Sequence, residues 1–265
     1  MKGPLMPYKL WKSPPVTHRF ALCSDTHGEP PLYCIPPDVT ILHAGDVYYG
    51  PSSADLEPLR RWKWDHPVYA VRGNHDFHDP ADFFGRYYVN DITASIQRMG
   101  HHYDSLLIVG LGLAFPNYCD LPTNRDLLDV AARIIAETHK LKEDVERRAT
   151  SRLVTPPPFS EGRFILLTHY PAPARSKPNQ PPGYAYPAIA QLLADLTTTF
   201  GIRPLAIIEG HIHEWANTTD FHDTPPQSPT GPIPIYRPGP IGGILTIDEK
   251  TWQLKYDPFF KEVQT

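Results

Sequence analysis

Short apolar runs punctuate the chain: Phe20-Ala21-Leu22-Cys23, Val39-Thr40-Ile41-Leu42, Val68-Tyr69-Ala70-Val71, Leu106-Leu107-Ile108-Val109, Phe164-Ile165-Leu166-Leu167 and Leu205-Ala206-Ile207-Ile208. Each is continuous and bounded by turn residues, the pattern of a strand buried on both faces. Between them the period lengthens. Leu127, Val130, Ala131, Ile134, Thr138, Leu141 and Val145 fall on one face of a helix that runs from Thr123 to about Thr150. Thr123 and Asp126 suit a capping arrangement at its start. Asp129–Arg133, Glu143–Arg147 and Asp144–Arg148 are i,i+4 pairs in the favourable order. A second helix is predicted from about Pro187 to Phe200, stopped by Gly201, with weaker helical stretches at Ser53–Trp64 and Asp91–Met99. From Gly243 to Tyr256 the pattern alternates around Asp248-Glu249-Lys250, as in a hairpin. Strands that alternate with helices and close on an antiparallel end predict a layered α/β fold with a mixed sheet.

Composition narrows the class. The 265 residues carry 25 basic and 29 acidic side chains, a formal net charge of −4. That length suits one large domain, expected at 18–265 behind an extension at 1–17, and its core needs no disulfide or zinc staple. Proline, 32 of 265, stiffens the loops that join elements of this one domain. The slight negative charge gives no strong signal for nucleic acid. Cys23, Cys34 and Cys119 are odd in number and far apart, which fits buried thiols in a reducing compartment. The segment Met1–Val16 lacks the apolar stretch of a signal peptide, and no apolar run is long enough for a membrane span. A cytoplasmic location is the expectation.

The ends of the apolar runs are chemically uniform. After Cys23 come Asp25 and His27; after His43, Gly45 and Asp46; after Val71, Gly73, Asn74, His75 and Asp76. After Leu167 comes His169, and after Ile208 come Gly210, His211 and His213. Residues able to bind metal thus recur at strand ends, where layered α/β folds bind ligands. Asp25 and His27 lie two apart, so an extended backbone would aim both the same way. Gly45, Gly73 and Gly210 suit tight turns at the strand ends. Of the 13 histidines, five lie in these segments; among the others His78 and His222 stand just beyond them.

Asp25-Thr26-His27-Gly28, Gly45-Asp46, Gly73-Asn74-His75-Asp76, Thr168-His169 and Gly210-His211-Ile212-His213 together resemble the motifs of the calcineurin-like metallophosphoesterase superfamily, in that family's order. Arg237-Pro238-Gly239-Pro240 and the final hairpin are similar to its closing segment. The resemblance implies a four-layer αββα sandwich of mixed sheets flanked by helices, and a site for two divalent metals. Asp25, His27, Asp46 and His213 would bind one ion; Asp46, Asn74, His169 and His211 would bind the other, with Asp46 shared. Two dications, two aspartates and a bridging hydroxide sum to +1, which attracts an anionic ester. Imidazole-rich ligands suit manganese first, with iron, zinc, cobalt and nickel as alternatives, and suit magnesium poorly. The implied reaction is hydrolysis of a phosphate ester by in-line attack of the bridging hydroxide. His75 matches the family's non-ligand histidine, which holds a phosphate oxygen or protonates the leaving group. Asp76 would orient His75 or cap the turn after it.

Substrate is read from departures. Gly45-Asp46-Val47-Tyr48-Tyr49-Gly50 lacks the Asp-Arg-Gly continuation of the Ser/Thr protein phosphatases, whose arginine binds a phosphomonoester dianion, and Asn74-His75 is followed by Asp76 and not Glu. This favours a phosphodiester, with a nucleotide among the small-molecule candidates. A phosphomonoesterase is the first alternative, ahead of a nuclease or a non-catalytic scaffold. Substrate contacts are expected from Asn74, His75 and the Pro171–Pro187 loop, whose Arg175, Lys177, Tyr184 and Tyr186 are suited to grip phosphate or stack on a base. That loop would otherwise only stiffen the rim. Tyr48, Tyr49, Phe77 and Tyr118 are further rim candidates.

Overall fold

The computed structural model describes residues 17–28, 35–36, 39–47, 67–76, 93–95, 106–113, 121–150, 159–176, 184–224 and 231–259. All six apolar runs form strands: β1 (Thr17–Cys23), β2 (Thr40–His43), β3 (Val68–Ala70), β5 (Leu106–Leu111), β6 (Arg163–Thr168) and β7 (Arg203–Glu209). To these are added β4 (Thr93–Ser95), β8 (Thr218–His222), β9 (Ile233–Arg237), β10 (Gly243–Asp248) and β11 (Leu254–Pro258). They build two sheets, of order β11-β10-β1-β2-β3 and β4-β5-β6-β7-β9-β8. Both are mixed: β1, β2 and β3 run parallel, as do β5, β6, β7 and β9, with antiparallel strands at the margins. The predicted hairpin is β10–β11. β1 begins at Thr17, the last residue assigned to the extension; the rest of that segment lies outside the described residues.

Side chains alternate along each strand, and the alternation builds the layers. Phe20 and Leu22 of β1, Leu106 and Ile108 of β5, Ile165 and Leu167 of β6, and Ile208 of β7 share one buried cluster between the sheets. Their neighbours point the other way. Leu107, Val109, Phe164, Leu166 and Ile207 pack against helices α1 (Asn124–Thr150) and α2 (Pro187–Phe200). Ala21, Cys23, Ile41, Val68 and Ala70 form a third cluster on the outer face of the five-stranded sheet. A fully buried Leu, Ile or Phe side chain contributes about 1.5–3 kcal/mol, so slipping one strand by a single residue would forfeit several such terms.

The helices begin and end as the sequence predicts. Thr123 N and Oγ1 both donate to Asp126 Oδ2 at 2.7 Å, and Asp126 N returns a bond to Thr123 Oγ1 at 3.3 Å. Leu127, Val130, Ala131, Ile134 and Thr138 are buried, while Leu141 and Val145 are half-buried. On the outer face Arg147 is held by Asp144, three residues back, at 2.6 Å. Asn124 Oδ1 accepts from Ala188 N at 2.8 Å, so the start of α1 caps the start of α2. α2 ends at Gly201, whose φ of 75° is the left-handed cap.

Three strands among the described residues depart from the pattern read in the sequence. Asp91–Met99 was expected to be helical, yet Thr93–Ser95 is strand β4, paired antiparallel with β5, and this pairing overrides local helical spacing. β9 lies inside the proline-rich stretch 225–240, where Pro234 disguises a strand. β8 carries its pattern inverted, with Asp220 and His222 buried and Phe221 exposed. The helix expected at Ser53–Trp64 lies outside the described residues. No helix among the described residues is long and apolar enough to cross a membrane.

Candidate metal centre

Asp25, His27, Asp46, Asn74, His75, Asp76, His169, His211 and His213 all lie just beyond the carboxyl ends of β1, β2, β3, β6 and β7. Hydrogen bonds hold those ends together across the two sheets. Ala44 O faces His169 Nδ1 at 2.9 Å, His211 N donates to Asp25 Oδ1 at 3.0 Å, and Ser24 N donates to Gly239 O at 2.9 Å. Residues remote in sequence therefore share one edge of the sandwich.

The donors converge in two groups. Ligand atoms of Asp25, His27, Asp46 and His213 lie within 4.8 Å of one another. Within that group His27 Nε2 is 3.4 Å from His213 Nε2, and His213 Nε2 is 3.4 Å from Asp25 Oδ1. In the second group His169 Nε2 lies 3.0 Å from Asn74 Oδ1 and 3.4 Å from Asp46 Oδ2. His211 Nδ1 completes it at 3.0 Å from Asn74 Oδ1 and 3.2 Å from His169 Nε2. Imidazole nitrogens so close together share at most one proton between each pair, and the remaining lone pairs face inward. That donor set, with two buried carboxylates, fits divalent metal ions held by bonds of about 2.0–2.2 Å.

Backbone geometry contributes what spacing did not foretell. Asp25, His27, Asp46 and His211 have φ of 54°, 49°, 54° and 73°. The chain at Asp25–His27 is thus not extended, as the two-residue spacing suggested; left-handed residues turn both side chains inward. Four such non-glycine residues in one site are the mark of a fold that holds its functional groups in less populated conformations. Gly73 is needed for close approach, since a Cβ there would stand 2.1 Å from Asp46 Oδ1. Gly45 combines a φ of +86° with close packing, since a Cβ there would stand 2.7 Å from the His169 side chain.

Asp76 has a role that the sequence did not suggest. Its buried carboxylate accepts from Asp46 N at 3.0 Å and Gly73 N at 2.7 Å, clasping the loops after β2 and β3. It thereby places Asp46, whose Oδ1 accepts from His75 N at 2.9 Å. The His75 ring meets the edge of His27 with centroids 5.1 Å apart, and its Nε2 is 3.9 Å from Asp46 Oδ2.

Electrostatics divides the histidines. Burial would lower His169, but the Asp46 carboxylate outweighs it and pushes the ring up to about 9. Asp46 is held well below the carboxylate range, the His169 partner overcoming burial. Burial and the neighbouring His169 bring His211 down to about 3. Burial also lowers His75. Without metal the centre therefore keeps a proton on His169, where a cation is otherwise wanted.

The described rim candidates have partners within the fold. Arg175, expected to grip phosphate, donates from Nε to Asp223 Oδ1 at 2.8 Å, in an exposed pair. Tyr184 is 40% exposed and meets Trp215 edge-on, centroids 5.9 Å apart, beside the turn that carries His213. Tyr186 is buried against Tyr170 instead of facing outward. His222 is buried with Nδ1 2.7 Å from Pro173 O, a bond that ties β8 to the segment after His169. Tyr48, Tyr49, Phe77, His78, Tyr118 and Lys177 lie outside the described residues.

The sequence model of the family described as calcineurin-like phosphoesterase matches residues 18–215, from β1 to the turn that carries His213. The chain belongs to that family. Membership implies a hydrolase acting on phosphoester bonds, in a family that uses a binuclear divalent metal centre. Among solved structures, TT1561 of Thermus thermophilus is 13% identical, covering 92% of this chain and 99% of its own, with a TM-score of 0.49. Phosphopantetheinyl hydrolase (PptH) from Mycobacterium tuberculosis is 14% identical, covering 91% and 97%, with a TM-score of 0.43. No curated protein sequence matches the chain.

Proposed function

We propose that the protein is a metal-dependent phosphodiesterase acting on a small diester, a nucleotide among the candidates. The observation that carries the metal-dependent reading is the convergence of Asp25, His27, Asp46 and His213 beside Asn74, His169 and His211. Two divalent ions bound there, manganese first, would supply Lewis acidity and a water-derived nucleophile near neutral pH. Asp25 and Asp46 hold the charge, and His169 keeps Nδ1 on the Ala44 carbonyl so that Nε2 faces the centre. His75 stands beside the shared Asp46, placed to hold a phosphate oxygen or pass a proton to the leaving oxygen. Its lowered pKa leaves the ring neutral in the free protein, and a bound phosphate anion favours its protonation.

The diester reading rests on the cations. A monoester dianion calls for more positive charge than a diester. No arginine follows Asp46 through Gly50, and Arg175 is engaged by Asp223. Turnover of bis-p-nitrophenyl phosphate relative to p-nitrophenyl phosphate, with Mn²⁺ supplied, tests it. A preference for the diester supports the proposal; a preference for the monoester makes the protein a phosphatase of the same fold. His75→Ala is expected to retain metal and lose about 10²–10⁴ in rate on an alkyl ester, with less loss on p-nitrophenyl esters. Undiminished turnover of the alkyl ester would remove His75 from the reaction.

A further inference from the structure

A buried ionic cluster lies directly behind the centre. Arg237, 3% exposed, donates from Nε to Glu209 Oε1 at 2.6 Å, and its Nη1 is 3.6 Å from Asp220 Oδ2. Glu209 is fully buried, and its second oxygen accepts from Ala172 N at 2.8 Å. Asp220 accepts from Ser176 Oγ and from Phe221 N. The Arg237 guanidinium also lies over the Trp215 ring, 4.8 Å from its centroid.

Three of these contacts end beside a proposed ligand. Glu209 is two residues before His211, Trp215 two after His213, and Ala172 three after His169. On Arg237's own strand, Gly239 O accepts from Ser24 N, next to Asp25. Through Glu209 and Trp215 one guanidinium thus ties together the loops of His169, His211 and His213, and its own strand runs on to the Gly239 carbonyl beside Asp25. Stability does not account for it. A well-packed apolar pair generally serves a core as well as a buried ion pair does, and Arg237 Nη2 finds no hydrogen-bond partner among the described residues. What the planar fork supplies, and an apolar pair does not, is fixed direction on two carboxylates and a ring.

We propose that Arg237, through Glu209, Asp220 and Trp215, is a positioning residue that sets the affinity of the centre for its metal ions. The proposal rests on the binuclear reading given above. Mn²⁺ titration of metal-stripped protein by calorimetry, with thermal unfolding of the same metal-free samples, is the test. Arg237→Lys keeps the charge and loses the fork; it is expected to bind Mn²⁺ about 10–100-fold more weakly. At saturating Mn²⁺ its kcat should return to within a few-fold of the parent. Ser176→Ala removes only the hydroxyl bond to Asp220 and should weaken binding in the same direction by a smaller factor. Folded Arg237→Lys with parental affinity overturns the proposal, and if that variant does not fold, unchanged affinity in Ser176→Ala overturns it instead. A parent that takes up no Mn²⁺ overturns the binuclear reading itself, which separates the two failures.

Discussion

The two halves of the proposed centre are held by different means. His169 is fully buried, its ring locked on a backbone carbonyl of the neighbouring sheet, and Asp46 beside it is clasped through its own backbone by Asp76. His213, by contrast, sits on a single 3-10 turn with 59% of its side chain exposed, oriented by Asp25 and His27. The first half belongs to the core, so its donors are placed before any ion arrives. In the second, Asp25 is buried but His213 lies at the surface, where solvent competes with its contacts. Removing a ligand should therefore cost folding on one side and mainly metal on the other.

The largest expected effect erases the distinction. Asp46 is the proposed shared ligand, so Asp46→Ala should lose both ions by metal analysis and roughly three orders of magnitude in turnover. Retention of one tightly bound ion would show that the halves are independent.

Next comes the direct contrast. His169→Ala takes from the buried Asp46 carboxylate its nearest cationic partner, at a cost of about 3–5 kcal/mol to the metal-free protein. His213→Ala removes an exposed contact, about 0–1 kcal/mol. At about 2–4 °C per kcal/mol the first variant should melt some 6–20 °C below the parent and the second within about 4 °C. Each should retain at most one ion. Equal melting losses would mean that burial does not separate the halves.

Acidity sharpens the same contrast more gently. In the metal-free protein His169 titrates at about 9, above the unfolded value near ~6.5. A raised pKa means that this ring's stabilisation is complete below about pH 6.5 and is lost as pH rises through about 9. His213 is also raised, by its bond to Asp25, but its exposure weakens the contribution. The melting temperature of stripped protein should thus fall between about pH 6.5 and about 9.5, and His169→Gln should flatten the fall while His213→Gln barely alters it. Metal uptake runs the other way. It must displace the His169 proton, so Mn²⁺ affinity should climb with pH, by up to about tenfold per unit, until about pH 9.

This asymmetry was invisible in the sequence, although most of the scaffold was not. Wholly apolar runs such as Phe164–Leu167 are legible because both faces of the strand are buried, and the runs of β5–β7 mark the middle of their sheet. Capping at Thr123–Asp126 and the stop at Gly201 are local chemistry, readable within a few residues. The candidate ligands were legible because their types recur at strand ends. The hidden features depend on long-range contacts: the Asp76 clasp on Asp46 spans 30 positions and the Arg237–Glu209 pair 28. β8 was hidden for the same reason. Its buried Asp220 and His222 look solvent-facing until Arg237 and the Pro173 carbonyl are seen opposite them.

The smallest expected effect tests whether the surface half is indeed separable from the fold. His27 adopts a φ of 49°, which costs an L-residue about 1–2 kcal/mol and costs glycine almost nothing. Glycine also leaves the unfolded chain freer, which offsets about 0.4–1 kcal/mol of that relief. His27→Gly should therefore leave the metal-free melting temperature within about 4 °C of the parent while one ion is lost. His27→Val, with a β-branched side chain forced into the left-handed region, should melt lower than both. If His27→Gly proved as destabilising as His169→Ala, the imidazole at 27 would be part of the folded core, and the surface half of the centre would be as preorganised as the buried one.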